Sequence, residues 1–227
     1  MIRNHWLDHV GSRRSSLGAL VALLGGLLAG PAVWAQPLES VKIRLDWTPW
    51  ANHAAIHLAQ QKGWFRQAGL DVAAEDGNGS VSTVQIVGSS NGFDLGHAAL
   101  APMMIARDKG LPVKALAVFL RKNDIGVLVP VDSGITTVAQ LKGKKIGYTA
   151  GSLEAPFIDT FLASGKLKRD DVELVNLDAA GKASNYAVGR TDAVFSTIPF
   201  VFPTTNRARP SRPILFADAG LEMPSFG

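Results

Sequence analysis

Apolar and polar positions alternate with two different periods along most of the chain. The run 41–45 alternates apolar and basic side chains, as a strand with one buried face does. The next segment, from Asn52 or His53 to Lys62, has apolar positions at helical spacing, and Gly63 ends it. Strand-like and helix-like runs then follow one another. This order predicts an α/β fold with parallel sheets covered by helices.

Short apolar runs bounded by turn residues predict the strands, and longer amphipathic runs predict the helices. The expected strands span 41–45, 70–74, 93–96, 113–120, 126–131, 144–148, 172–175, 192–195 and 214–216. The expected helices span 53–62, 80–87, 98–109, 138–141, 152–163, 183–188 and 199–207.

These elements divide into two blocks of similar size. We expect a first lobe over 41–122 and a second over 123–216, each with a mostly parallel sheet flanked by helices. Ligands of such sheets bind at the carboxyl ends of the strands. A crevice between the lobes is therefore the expected site.

Residues 1–35 have the pattern of a secretory signal. Three arginines lie within the first 16 residues, and an apolar run spans 17–29. Small residues precede the expected cleavage after Ala35. The apolar run of 13 residues is shorter than the ~20 of a membrane span. We therefore expect a periplasmic protein. Arg13 and Arg14 also fit a twin-arginine signal, and the choice of export route stays open.

Composition narrows the function classes. The chain of 227 residues has no cysteine, which excludes disulfides, thiolate metal sites and a cysteine nucleophile. Outside the first 35 residues, 20 basic and 18 acidic residues nearly cancel. No basic stripe with interleaved aromatic residues occurs, so nucleic acid is not an expected partner.

Polar and aromatic side chains cluster just after the first expected strand. Trp47 is able to stack on a flat ligand and to donate from its indole N–H. Asp46 and Asn52 are able to take a ligand's N–H groups, and His53 to donate or accept. Each also has a structural interpretation: packing for Trp47, a turn anchor for Asp46 and a helix cap for Asn52. Their grouping at a strand's carboxyl end favours a binding site.

A second candidate turn follows the expected strand 144–148. Gly151 leads into a helix, where free backbone N–H groups and the helix dipole attract an acceptor. Ser152 is able to cap that helix or to donate to a ligand, and Glu154 to bind an amine or the edge of an aminopyrimidine. The alternative is a simple capped helix with Glu154 in its first turn. The spacing does not match a phosphate-binding loop.

Two further turns of this kind contribute candidates. Phe195 is expected to supply an opposite stacking wall, with Ser196 and Thr197 facing the same crevice. His97 follows a short expected strand and is a weaker candidate, since a histidine there is more often held by backbone groups.

Catalytic patterns do not occur in the sequence. It has no GxSxG elbow, HExxH pair or Walker loop. His53 and His57 stand four residues apart on one expected helix, but the intervening glutamate of a metal motif is missing and that face is otherwise apolar. We expect no catalytic residue, no metal and no cofactor, and hence a binding protein rather than an enzyme.

Several motifs resemble the SsuA/THI5-like (NMT1-type) substrate-binding proteins of ABC transporters. They are LDWTP at 45–49, KGWF at 62–65, FDLG at 93–96, LKGKKIGY at 141–148 and GRTDAV at 189–194, in a match that spans about 41 to 227. The resemblance implies a type II periplasmic-binding fold, with an inner-membrane ABC permease and its ATPase as partners. It also implies a ligand of the thiamine pyrimidine precursor type, bound by Trp47, the 151–154 turn and Phe195.

The resemblance carries alternatives and one departure. A receptor for sulfonates, nitrate-like anions or other aromatic solutes is the first alternative, and Arg44, Arg121 or Arg190 would then face the cleft. A pyrimidine synthase is less expected, because its iron-binding cysteine cluster falls at 223–227, where no cysteine occurs. Family members continue past residue 227, so the chain resembles a C-terminally incomplete member. Residues 217–227 would begin a return to the first lobe, which is expected to leave apolar surface uncovered.

Overall fold

The computed structural model describes residues 36–122 and 124–227. Residues from Leu38 to Gly227 cluster as one compact unit. The expected signal peptide, residues 1–35 with its cleavage site after Ala35, lies outside the described residues. No helix in the described ranges is long and apolar enough to cross a membrane.

A three-stranded parallel sheet forms the first block, which comprises residues 38–122. Its strands, in the order β2-β1-β3, are β1 (Glu39–Arg44), β2 (Leu70–Glu75) and β3 (Leu95–Gly96). In register, Ile43 lies opposite both Ala74 and Leu95, so β1 is central. A 3-10 turn at Ala51–His53 precedes the helices α1 (Ala54–Gln61), α2 (Trp64–Gln67), α3 (Ser80–Gly88) and α4 (Leu100–Asp108).

A five-stranded sheet forms the second block, residues 124–224, whereas residues 225–227 hydrogen-bond to Ala98 and Leu100 of the first block. Its strands, in the order β6-β5-β7-β4-β8, are β4 (Ile125–Pro130), β5 (Lys145–Tyr148), β6 (Glu173–Asn176), β7 (Ala193–Thr197) and β8 (Ser211–Leu215). Its α-helices are α5 (Ile158–Ser164), α6 (Lys182–Ala187) and α7 (Ile198–Thr205). Its 3-10 turns are Val131–Ser133, Val138–Leu141, Ala155–Phe157, Arg169–Asp171 and Ala217–Ala219.

Strand β4 runs antiparallel to both of its neighbours, β7 and β8. The alternation of strands and helices had indicated mostly parallel sheets without identifying β4 as the reversed strand. Ile125 at the start of β4 lies opposite Thr197 at the end of β7. The chain therefore enters this sheet from the first block at the carboxyl ends of the parallel strands. The other four strands run in one direction, and the sheet is mostly parallel as expected.

Aromatic side chains fill the core of the second block. Phe161 stacks on Phe216 with ring centroids 4.5 Å apart, and Phe195 meets both rings edge-on at 5.8 and 6.0 Å. All three side chains are buried. Burial of one such side chain contributes about 1.5–3 kcal/mol, so this core is a firm support for the turns that follow β5 and β7.

The strand expected over 113–120 is wrong. Residues 113–118 carry no regular structure, and the Leu116 and Phe119 side chains are 70% and 57% exposed. A strand needs a ladder of backbone partners. Here the N–H groups of Phe119 and Leu120 share the single carbonyl oxygen of Phe226. The first block has several exposed apolar side chains: Leu58, Trp64, Leu95, Met104, Leu116, Val118, Phe119 and Leu120.

The two blocks meet along the carboxyl ends of β1, β2, β5 and β7. The carbonyl oxygen of Gly151, after β5, accepts a hydrogen bond from the N–H of Val81 at 3.0 Å. The side-chain oxygen of Asn78, after β2, accepts one from the N–H of Ala179 at 3.2 Å. These bonds hold the two rims close together.

Candidate functional site

A cleft opens beside these contacts, where a crevice was expected. The free cavity within it is only about 20 Å³. Ligand pockets usually span about 300–1,000 Å³, so the cleft is nearly closed in this structure. The lining consists of Asp46, Trp47, Trp50, Ser80, Ser152, Leu153, Glu154, Lys182, Ser196, Thr197 and Phe200.

Three side chains hold the carboxylate of Asp46. His53 donates from Nε2 to Oδ1 at 2.9 Å, and His97 donates from Nδ1 to the same oxygen at 3.2 Å. Ser80 donates from Oγ to Oδ2 at 3.0 Å. All four side chains are buried. The expected candidates Asp46, His53 and His97 thus come together, but they hydrogen-bond to one another, and the buried Asp46 carboxylate already accepts three hydrogen bonds.

The pKa of the Asp46 carboxyl is lowered. Burial raises this pKa by disfavouring the charged form, but the hydrogen bonds and charges of His53 and His97 act against burial and outweigh it. Asp46 is therefore ionised at neutral pH. Since an ionised carboxylate only accepts, both imidazoles donate to it.

The same three residues place their ligand atoms within 4.8 Å of one another, a spacing compatible with a metal ion. A histidine that binds metal usually donates its other ring nitrogen to an acceptor. His53 Nδ1 and His97 Nε2 have no hydrogen-bond partner within the described ranges. The set fits a hydrogen-bonded carboxylate better than a metal centre, and we assign no metal to it.

Trp47 and Trp50 supply the aromatic side of the cleft. The ring of Phe200 on α7 meets both edge-on, with centroids 6.0 and 5.8 Å apart. The indole Nε1 atoms of both tryptophans are buried and have no hydrogen-bond partner among the described residues. Two residues of the cleft lining thus each carry a buried N–H donor without an acceptor.

The turn after β5 contributes differently from the expectation. Gly151 accepts a hydrogen bond from the first block through its carbonyl oxygen. Ser152 donates from Oγ to the backbone oxygen of Thr149 at 2.6 Å. Glu154 reaches the cleft, but Lys182 donates from Nζ to its Oε1 at 2.7 Å. The Glu154 carboxylate therefore lies at the cleft, as expected, but it is already paired with Lys182.

Five of the nine expected site residues lie outside the lining: Asn52, His53, His97, Gly151 and Phe195. Phe195 is in the core, because β7 continues through Thr197 and only the end of the strand reaches the cleft. Asn52 lies outside the lining and makes no cap hydrogen bond to α1 or to the preceding turn. The wall expected from Phe195 is supplied by Phe200.

Sequence reasoning missed Lys182, Phe200 and the tie between Ser80 and Asp46. Ser80 is the first residue of α3, and Gly79 holds the cap position. The signal for Lys182 was its place after the glycine of a strand-to-helix turn, the same kind of turn that indicated Glu154. A lysine in such a turn is normally solvated, and only the tertiary structure places it in the cleft.

None of the three arginines proposed for an anion site lines the cleft in the described ranges. Arg44 pairs with Glu75 at 3.8 Å, and Arg190 donates to Asn185 at 3.2 Å. Arg121 is exposed. The basic residue of the lining is Lys182.

Two α/β sheets that face each other across a cleft at the ends of their strands define the type II periplasmic-binding fold, as expected. A structure from Bordetella bronchiseptica aligns with a TM-score of 0.68 at 29% identity and covers 82% of this chain and 62% of that one. The alkanesulfonate-binding protein SsuA of Xanthomonas axonopodis pv. citri, bound to MOPS, aligns with a TM-score of 0.60 at 21% identity and covers 82% and 64%. At that identity SsuA supports the fold alone.

The chain belongs to the NMT1/THI5-like family, whose model matches residues 50–223. The formylaminopyrimidine-binding protein of Halalkalibacterium halodurans is 28% identical over 162 residues, 71% of this chain and 48% of that protein. The 4-amino-5-hydroxymethyl-2-methylpyrimidine phosphate synthase THI11 of Saccharomyces cerevisiae is 38% identical over 111 residues, 48% of this chain and 32% of that protein. The chain thus spans half or less of the length of these relatives.

Proposed function

We propose that this chain is the ligand-binding part of a solute receptor that captures a small, flat nitrogen heterocycle of the aminopyrimidine type between its two blocks. The receptor works in the periplasm and passes its ligand to an inner-membrane ABC permease with its ATPase. In this proposal the ligand leaves chemically unchanged.

The observation that carries the proposal is the pair of unpartnered indole donors of Trp47 and Trp50. A buried N–H without an acceptor costs about 1–3 kcal/mol. A ligand with ring nitrogens or a carbonyl oxygen in its plane removes that cost. The same ligand gains contact with the aromatic rings, which favour a flat partner.

The relatives support the same ligand class. One is named for binding a formylaminopyrimidine and the other for making an aminopyrimidine phosphate. An anion receptor is less well supported, because the basic side chain of the lining, Lys182, is already paired with Glu154.

A pyrimidine synthase is the second candidate, since the yeast relative with that name is 38% identical over 111 residues. Mass spectrometry of the small molecules in cell extract incubated with and without the chain, and with no pyrimidine added, separates the two. The receptor proposal expects no aminopyrimidine phosphate to form, and its formation only with the chain present would favour the enzyme.

Calorimetric titration of the chain with 4-amino-5-hydroxymethyl-2-methylpyrimidine tests the receptor proposal. Trp47→Phe keeps a ring but removes the N–H donor, so we expect affinity to fall about five- to tenfold, the value of one hydrogen bond. Trp64→Phe is the matched control, because Trp64 is 53% exposed and lies outside the cleft. No binding of the pyrimidine together with clear binding of an alkanesulfonate would reject the proposal.

A further inference from the structure

Lys182 is a buried lysine inside the cleft. It is the first residue of α6 and is 1% exposed. Its Nζ donates to Glu154 Oε1 at 2.7 Å and lies 4.6 Å from the centre of the Trp47 ring. An ammonium held by a carboxylate and an aromatic face is the arrangement by which proteins bind a cationic ligand. Here the chain supplies that cation itself.

The charged side chains of the lining already have hydrogen-bond partners without a ligand. Its acidic residues are Asp46 and Glu154. The two histidines and Ser80 hold Asp46, and Lys182 holds Glu154. A further cation would meet the Lys182 ammonium, and an anion drawn to Lys182 would meet Glu154. Removing an unpaired charge from water is costly. A charged group of either sign on the ligand is therefore disfavoured beside Lys182 and Glu154.

We propose that Lys182 determines the charge of the ligand: its ammonium fills the cation subsite between Trp47 and Glu154, and the cleft therefore accepts an uncharged ring. This inference rests on the proposed function of the cleft as a ligand site. It narrows the ligand class to neutral heterocycles, and it makes Lys182 the residue whose loss opens the site to amines.

Two ligands that differ in one group test the inference. The 5-hydroxymethyl and 5-aminomethyl forms of 4-amino-2-methylpyrimidine have the same ring, and only the second carries an ammonium group at neutral pH. We expect the unchanged chain to favour the neutral form about tenfold or more, a difference of about 1.4 kcal/mol. Lys182→Ala should reverse the preference, because it leaves Glu154 to pair with the ligand's ammonium group.

Lys182→Gln provides a second variant, since it fills most of the space, keeps a donor for Glu154 and removes the charge. We expect it to abolish the preference for the neutral form. Lys114→Gln, at an exposed position, makes the same change outside the cleft and should leave the preference as it is. An unchanged preference in both Lys182 variants would overturn the inference.

A second readout does not depend on the pyrimidines. Methylammonium and ethylammonium ions should raise the melting temperature of Lys182→Ala by about 2 °C or more, by filling the vacated subsite. They should have no such effect on the unchanged chain or on Lys182→Ala with Glu154→Gln. Equal effects on all three would overturn the inference. If neither pyrimidine binds the unchanged chain, the proposed function fails, and the alkylammonium result alone decides the role of Lys182.

Discussion

Asp46 joins separate segments of the first block through one carboxylate. Its partners His53, Ser80 and His97 belong to the 3-10 turn, α3 and the loop after β3. Ser80 Oγ also accepts a hydrogen bond from the N–H of Ala99 at 3.0 Å. The side chain that follows β1 therefore fixes the rim on which Trp47 stands.

Asp46→Asn should lower the free energy of unfolding by about 2 kcal/mol at pH 7, because it removes a charged acceptor of three buried hydrogen bonds. Urea denaturation followed by circular dichroism measures this. Asp108→Asn, exposed at the end of α4, removes the same charge without breaking a buried bond and should change stability little.

The same variant should also change the pH dependence of stability. The pKa of Asp46 is lowered on folding, so the unfolded chain binds more protons in acid. The stabilisation from Asp46 is present above its unfolded pKa of about 3.9 and is lost as the pH falls through the lower folded value. The unchanged chain should therefore lose more stability than Asp46→Asn below about pH 4. Parallel curves for the two proteins would contradict the assignment.

Individual residues could be predicted where a strand end settles their position. Trp47 and Glu154 follow β1 and β5 and do line the cleft. Phe195 does not line the cleft, because β7 extends two residues beyond the end of the apolar run that predicted it. His53 was grouped with Asp46 and His97 was placed at a separate turn, and the sequence could not reveal that the three side chains hydrogen-bond to one another.

The turn before α3 and the turn after β5 touch backbone to backbone. A Cβ on Gly79 would lie 2.0 Å from the Gly151 carbonyl oxygen, and Gly79 has φ 132°. That oxygen accepts a hydrogen bond from Val81 in the first turn of α3, where helix N–H groups lack partners of their own. A glycine at position 79 is what lets the two blocks come this close.

Gly79→Ala should hold the blocks apart and weaken ligand binding about tenfold or more, a loss of 1.4 kcal/mol or greater. Calorimetry with the aminopyrimidine measures the effect. Gly63→Ala is the control for backbone strain alone, since Gly63 also has a positive φ, of 70°, but nothing lies within 4 Å of its Cβ position. The same affinity in both variants would argue against a role for this contact in binding.

Strands could be predicted from the sequence wherever a short apolar run pairs with a neighbouring strand in a sheet. All eight strands of the described ranges match expected ones within a few residues. The run 113–120 has the composition of a buried strand, yet it has no neighbouring strand and stays on the surface. Pairing partners, unlike periodicity, are a tertiary property. The reversed direction of β4 was missed for the same reason.

The residues that join the two blocks lie next to the residues that line the cleft. Lys182 reaches from the second block to the face of Trp47 in the first, next to the bonds of Gly151 and Asn78. A ligand shifts an equilibrium between open and closed forms only as far as it binds the closed form better. A flat ring that accepts hydrogen bonds from the tryptophans and contacts the second block meets that requirement.

The most direct test of this account observes the indole N–H groups themselves by NMR in the ¹⁵N-labelled chain. Signals are assigned with Trp47→Phe, Trp50→Phe and Trp64→Phe. On addition of 4-amino-5-hydroxymethyl-2-methylpyrimidine, the account predicts that the Trp47 and Trp50 signals shift as new hydrogen bonds form and that the Trp64 signal stays in place. Saturable binding that moves neither the Trp47 nor the Trp50 signal would contradict it.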